Sequence, residues 1–355
     1  MRGGEAASSA AKLLVRPALP EDGAAWDAFV AAYPDGTHYH RYGWSRVIER
    51  AFGRKIHYRM AVADGDVAGV LPLVGFSNPI FGRFLVSVPF LNRGGVLATD
   101  AAAQAALVAE ARSLLASTRS KFVELRHVRG IDPALPARET KVSMSIPLEP
   151  DVDELWKRVG AKVRNLVRKA EKAGLAVREG EPARDLPAFY EVFAENMRDL
   201  GTPVYTPRFF REVVREFGDS IRMSVVEDGS TVAAAGICVA HRGVTEIHWA
   251  ASRKEYLKSA PNMLLYWDAI SHAARAGLTE FCFGRSTVDS GPYRFKKQWG
   301  ALPTPLRWEY LLADGQSMPG LNPDNPKFRA AVAMWRKLPV ALTKVVGPPI
   351  VRHLP

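Results

Sequence analysis

The chain has 355 residues, 47% hydrophobic and 24% charged. At roughly 100–200 residues per domain this predicts two domains or one composite unit, and it excludes whole-chain disorder, collagen and coiled coil. The net charge of +11 points to an anionic partner, and two cysteines are too few for a disulfide scaffold, which fits a reducing, cytoplasmic compartment.

Residues 1–10 are small and polar and read as a disordered N-terminus. Arg2, Glu5 and Lys12 leave no apolar stretch for a signal peptide. A first unit over 11–149 opens with a strand at Arg59, an Asp64-Gly65 turn and a second apolar run from Val67 to Val74. This is the short-range hairpin signal. A helix over 101–117 and a strand over 122–128 follow. The same order returns about 160 residues later: a strand from Arg222, the Asp228-Gly229 turn, a strand over 231–240, a helix over 262–276 and a strand over 279–284. Each half reads as a mixed sheet flanked by helices, so the fold class is α/β (α+β) with two tandem domains. The boundary falls near Pro147 to Asp151, where Asp151 or Asp153 suits a helix N-cap.

The second unit, 150–315, begins with a basic helix over 155–173. Val159, Val163, Leu166, Val167 and Ala170 recur at helical spacing and form its buried stripe. Lys162, Arg164, Arg168 and Lys169 take the other faces almost without acids, a pattern suited to phosphates or equally to a solvated face. The region 281–300 brings a short strand, a polar loop and the interleaved Tyr293, Phe295, Lys296, Lys297 and Trp299. A lysine in such partly apolar surroundings can stabilise an oxyanion. Asp289 is a candidate base, or else caps the turn at Gly291; His248 and Trp249 either line the cleft or pack in the core. Cys282 reads as a small strand residue, not a nucleophile. The eight histidines lack metal-ligand spacing; His38 and His40, a His-x-His in a turn, come nearest, and no metal is expected. The acid-free end of the tail 316–355 carries Arg336, Lys337, Lys344 and Arg352 among Met334, Trp335, Val345 and Ile350. It reads as a basic amphipathic segment for peripheral contact with the inner face of the cell membrane, or as a helix packed on the second domain.

Phe295-Lys296 followed by Trp299-Gly300, the basic helix through Lys162, Arg164, Asn165, Arg168 and Gly174, and Pro261-Asn262-Met263 at a helix entry resemble the FemAB-type peptidyltransferases. The pattern runs from about residue 40 to 312 and includes Gly43-Trp44, Pro89-Phe90 and Gly94-Gly95. Gly284-Arg285-Ser286 and the tail's Leu338-Pro339 and Gly347-Pro348 are similar to the subgroup found with exosortase (XrtA/PEP-CTERM) and exopolysaccharide systems. The resemblance implies two tandem GNAT-like domains and an N- or O-acyltransferase acting on a cell-envelope or exopolysaccharide precursor. It implies that Lys296 lies beside the donor ester; from the residues themselves, Arg285 and Tyr293 are expected to support it and Phe295, Trp299, Asp289 and His248 to line the site. Arg46, Lys162, Arg164, Arg168 and Lys169 would bind a phosphorylated or lipid-linked acceptor. The donor would be aminoacyl-tRNA or acyl-CoA, with no cofactor bound. The 252–261 loop has no glycine with which to cradle a pyrophosphate, which disfavours a conventional CoA site, and tRNA suits the positive charge. Where relatives carry an Asp before the loop, this chain has Cys282. Two other functions share these features: a conventional acyl-CoA-dependent N-acetyltransferase, and a non-catalytic scaffold that recruits polymer intermediates to the membrane.

Overall fold

Asp64 (φ 51°) and Gly65 (φ 97°) both take left-handed backbone, as a two-residue hairpin turn requires. They join β3 (Arg59–Ala63) to β4 (Asp66–Leu71). In the second unit β11 (Ile221–Asp228) and β12 (Thr231–His241) also pair antiparallel, but Asp228 pairs with Thr231, so the turn residues are Gly229 (φ 57°) and Ser230, one position on from the expected Asp228-Gly229. The computed structural model describes residues 13–78, 82–319 and 326–354; the N-terminus expected to be disordered lies outside them.

Around the first hairpin lie β1 (Leu13–Pro17), α1 (Gly23–Ala32), α2 (Gly43–Phe52), β2 (Lys55–Ile56), β5 (Leu73–Asn78), β6 (Gly82–Ser87), β7 (Leu97–Ala98), α3 (Ala101–Ser117) and β8 (Phe122–His127). After β9 (Ala137–Pro147) come α4 (Val152–Arg158), α5 (Ala161–Lys172), β10 (Ala176–Gly180), α6 (Pro182–Leu200) and α7 (Pro207–Phe217). The second hairpin leads to β13 (Val244–Ser252), α8 (Pro261–Arg275), β14 (Glu280–Thr287), α9 (Gly291–Lys297) and β15 (Leu302–Leu312). The chain continues with α10 (Pro326–Trp335) and α11 (Val340–Val351). Asp151 caps α4 as expected, its carboxylate accepting from the Asp153 and Glu154 amides.

Among the described residues the strands form a four-stranded sheet, β1-β3-β4-β7, and an eleven-stranded sheet, β10-β11-β12-β13-β14-β9-β15-β8-β6-β5-β2. The sequence boundary at 149/150 is a break in the chain's order but not in the sheet. β9, from before it, pairs with β14, and β15, from the far end, pairs with both β9 and β8. One core cluster lies under α3, another under α4, α5 and α8. A third joins Trp26 and Trp44 of the first half to Phe189, Phe209 and Trp249 of the second, so the halves share a packed interior.

Each half also contains one short parallel pairing whose strands then separate. β6 and β8 match only at Leu85–Val123 and Val86–Glu124. β13 and β14 match at Val244–Glu280, Thr245–Phe281 and Glu246–Cys282. Beyond these registers each pair opens into a V.

The described tail carries two helices, α10 and α11. Thr343, Gly347 and Val351 are buried, Lys344 pairs with Glu191 of α6 at 2.8 Å, and Arg54 donates to the Arg352 carbonyl. Its other face leaves Met334 70% and Val345 71% exposed. No helix among the described residues is long and apolar enough to cross a membrane.

Candidate active site

α9 is a short helix set by its own sequence. Ser290 accepts from the Tyr293 amide at the N-cap, and Pro292 pre-forms the first turn. The helix directs Lys296 back onto β14, where it is 7% exposed. Lys296 Nζ donates to the carbonyl oxygens of Gly284 (3.0 Å) and Arg285 (2.9 Å). Burial drives its pKa down to about 8, partly offset by Cys282 and Glu246. Two carbonyls occupy two of its three N–H bonds, leaving one donor for a ligand.

Glu246 and Cys282, directly opposite in the β13–β14 register, form the crotch of the V. The carboxylate missing from β14 thus stands on the neighbouring strand. Glu246 is buried, and Oε1 accepts from Tyr39 Oη at 2.5 Å and from Asn92 Nδ2 at 3.1 Å. Desolvation pushes its pKa up, but His248, Arg93 and the Tyr39 and Cys282 hydrogen bonds outweigh it and hold the group below its ordinary value. Arg93 reaches Ser143 Oγ at 3.1 Å and Cys282 Sγ at 3.7 Å. Gly284 sits over this cluster with φ 74°, and a Cβ there would lie 3.2 Å from Glu246 Oε1. Burial pushes the Cys282 thiol up to about 12, so it is protonated and inert, as expected.

His248 lines the same cluster. Its Nε2 shares a hydrogen bond with His38 Nε2 at 2.9 Å, and its Nδ1 lies 3.9 Å from Glu246. Burial lowers the pKa of both rings, and the Glu246 charge opposes this at His248. His38, Glu246 and His248 bring one ligand atom each within 4.8 Å of one another, a grouping that could hold a metal ion. Protein partners engage Nε2 of both imidazoles, which bind each other, and Glu246 Oε1, which Tyr39 and Asn92 bind, while His38 Nδ1 is buried without a hydrogen bond.

The other expected site residues separate into groups. Arg285 follows Gly284 at the wall of the V, with its guanidinium 4.9 Å from the Trp308 ring centre. Phe295 and Trp299 pack on Tyr266 in the second-half core, and Tyr293 is partly buried against the same cluster. They fix α9 in place. Asp289 is an exposed turn residue with φ 60°. Arg46 is held by Glu216 of α7, Nε to Oε1 at 2.8 Å, so its charge is already matched within the protein. Arg164 donates to the Lys157 (3.0 Å) and Val159 carbonyls, closing the end of α4. Lys162, Arg168 and Lys169 are exposed and make no ion pair among the described residues. No hydrogen bond, ion pair or ring contact among the described residues links α5 to Lys296.

At the start of α8, where a pyrophosphate loop would lie, a 3-10 turn over Lys254–Ser259 leads to Ala260 (φ 57°) and Pro261. Arg253 there is paired with Glu195 at 3.0 Å. A separate cleft of about 480 Å³ between the halves is lined by His38, Tyr39, Arg93, His241 and Glu246, among others, so Glu246 borders both spaces. Sequence reasoning missed Glu246, Tyr39, Asn92 and Arg93. Gly94-Gly95, next to Asn92 and Arg93, is the one local signal.

Residues 157–297 match the model of the acetyltransferase (GNAT) domain family. No curated protein matches the chain in sequence. Three solved structures resemble it. FemX is 15% identical with a TM-score of 0.64, over 84% of this chain and 97% of that one. L-PGS from Bacillus licheniformis is 12% identical with a TM-score of 0.56, over 94% and 98%. A tandem GNAT protein from the clavulanic acid biosynthesis pathway is 14% identical with a TM-score of 0.53, over 87% and 100%. At these identities the likeness shows the fold. The repeated hairpin, helix and splayed strand are two tandem GNAT-like units, and within the second of them residues 157–297 match the GNAT acetyltransferase domain model.

Proposed function

We propose that the protein is a FemAB-like acyltransferase that moves an acyl or aminoacyl group onto an amine or hydroxyl of a cell-envelope or exopolysaccharide precursor. The observation that carries this reading is the open V between β13 and β14, with the Lys296 ammonium at its base and the Glu246 carboxylate at its crotch. A donor carbonyl inserted in the V meets the remaining Lys296 N–H, which stabilises the negative charge that develops on its oxygen. The acceptor's N–H or O–H proton goes to the Tyr39–Glu246 pair as the new bond to the acyl carbon forms. The bond to the donor's sulfur or oxygen then breaks, and that atom takes up a proton. Arg93 and Asn92 keep Glu246 ionised and oriented for this work.

The glycine-free turn before α8 favours aminoacyl-tRNA over acyl-CoA as donor, because few backbone N–H groups are free there to cradle a pyrophosphate. FemX and L-PGS share the fold, and the FemAB-type resemblance of the sequence motifs supports a donor of this kind and an envelope acceptor. The exposed Lys162, Arg168 and Lys169 supply a surface for a polyanion, and the tail's apolar outer face suits peripheral contact with the cytoplasmic side of the membrane.

Calorimetric titration with acetyl-CoA, beside a transfer assay with charged tRNA, tests the reading. The expected result is no saturable CoA binding and release of the amino acid from tRNA only when Lys296 is intact. Saturable CoA binding would replace the donor. Release unchanged in Lys296→Met would overturn the mechanism.

A further inference from the structure

The wall of the V carries two cations that the protein leaves unmatched. The Arg285 side chain makes no hydrogen bond and no ion pair among the described residues. Solvent reaches it, yet protein atoms surround it closely enough to lower its pKa to about 10, with burial the main cause and Arg126 the second. The nearby carboxylate, Glu124, is engaged by Arg126 (2.8 Å) and by the Tyr310 hydroxyl (2.8 Å). Lys141 stands beside Arg285. In the β9–β14 register Ser143 faces Arg285 and Lys141 faces Thr287, so the two cations are diagonal neighbours on one face of the sheet. Lys141 Nζ donates to Thr287 Oγ1 and forms no ion pair among the described residues. Burial lowers its pKa, and so does the Arg285 charge.

Two like charges held side by side on one face of the sheet repel each other, and no carboxylate pairs with either among the described residues. The arrangement is satisfied when a dianion enters. The guanidinium lies 4.9 Å from the Trp308 ring centre, and its fork of N–H donors matches a tetrahedral oxyanion, which favours bidentate binding.

We propose that Arg285 and Lys141, with Trp308 behind them, form a subsite for a phosphate ester or diphosphate of the substrate. The proposal rests on reading the V as the place of acyl transfer. It adds that the substrate is phosphorylated next to its reacting group, since Lys296 Nζ is bonded to the carbonyl of Arg285 itself. The subsite is distinct from the exposed cations of α5.

Calorimetric titration of the full chain with inorganic pyrophosphate, without any acyl donor, tests it. Wild type is expected to bind at one saturable site. Arg285→Gln is expected to weaken that binding at least about tenfold, the usual scale for a lost charge-assisted hydrogen bond. Arg285→Lys should fall between them, and Lys172→Ala, at an exposed cation of α5, should bind as wild type does. Near-UV circular dichroism verifies that Arg285→Gln is folded. Absence of saturable binding, equal binding by Arg285→Gln, loss of binding in the α5 variant, or tighter binding of malonate than of pyrophosphate would each overturn the subsite. Because no transfer is measured, its failure is distinguishable from failure of the acyltransferase reading, which the charged-tRNA assay decides.

Discussion

The two V-shaped openings are built alike and finished differently. In the first, Arg126 fills the gap after Val86–Glu124: it donates to Glu124 at 2.8 Å and to the Leu91 carbonyl at 2.6 Å, and lies 4.3 Å from the Trp308 ring centre. The Tyr310 hydroxyl bonds the other side of Glu124. In the second, Lys296 is held by carbonyls alone and Arg285 has no partner among the described residues. Trp308 touches both guanidiniums, so the sealed and the open site are neighbours. One duplicated frame serves stability in one copy and leaves charge unsatisfied in the other, and unsatisfied charge in a cleft marks where a ligand belongs.

The comparison breaks most sharply at Arg126. Arg126→Met leaves Glu124 buried without its cation and is expected to cost about 3–5 kcal/mol, measured by urea denaturation. Adding Glu124→Gln should recover part of the loss. Arg285→Met, the same change in the open site, should leave the midpoint unchanged or raised. Equal losses at the two arginines would dissolve the distinction between them.

Next in size is Lys296→Met. Loss of one oxyanion donor lowers kcat by about 10²–10³, with acceptor KM little changed, as steady-state transfer assays would show. Gly284→Ala comes third. The left-handed backbone and the 3.2 Å approach to Glu246 Oε1 should cost about 1–2 kcal/mol and slow transfer, since the new methyl presses on the carboxylate.

The pH profile sharpens the role of Lys296. Its cation is present below about 8 and lost above, so a rate that depends on it falls as pH rises through that value. Stability moves the other way. Between about 8 and the ordinary lysine value of 10.5 the unfolded chain holds more protons than the folded one, so this group's share of stability rises with pH. Denaturation of wild type and Lys296→Met across that window gives the difference. The smallest effect is expected on α5: Lys162→Ala/Lys169→Ala should leave stability within about 0.5 kcal/mol. A larger loss would mean that the basic face is packed.

Legibility followed the range of the interaction. Asp64-Gly65 and Asp151 before α4 are local signals, and each places an element. Lys296 was legible because its aromatic neighbours lie within four positions. Glu246 was not: it is one polar residue inside a β-strand, and its meaning depends on a three-residue register with a strand 36 positions away. Tyr39, Asn92 and Arg93 reach it from the other half through the shared core. Arg46 and Arg164 look like free cations in sequence; Glu216, from α7, and the carbonyls ending α4 engage them. Charge is written in the chain, but its neutralisation is a tertiary property.

The place of β15 in the sheet has a consequence for how the chain comes off the ribosome. β8 and β9 are synthesised more than 150 residues before β15, the strand that lies between them. Until residue 312 has emerged, both expose a free strand edge, which invites mispairing with other chains. The first half therefore cannot complete itself as an early folding unit, and a nascent chain arrested before Leu302 is the form that most needs a chaperone.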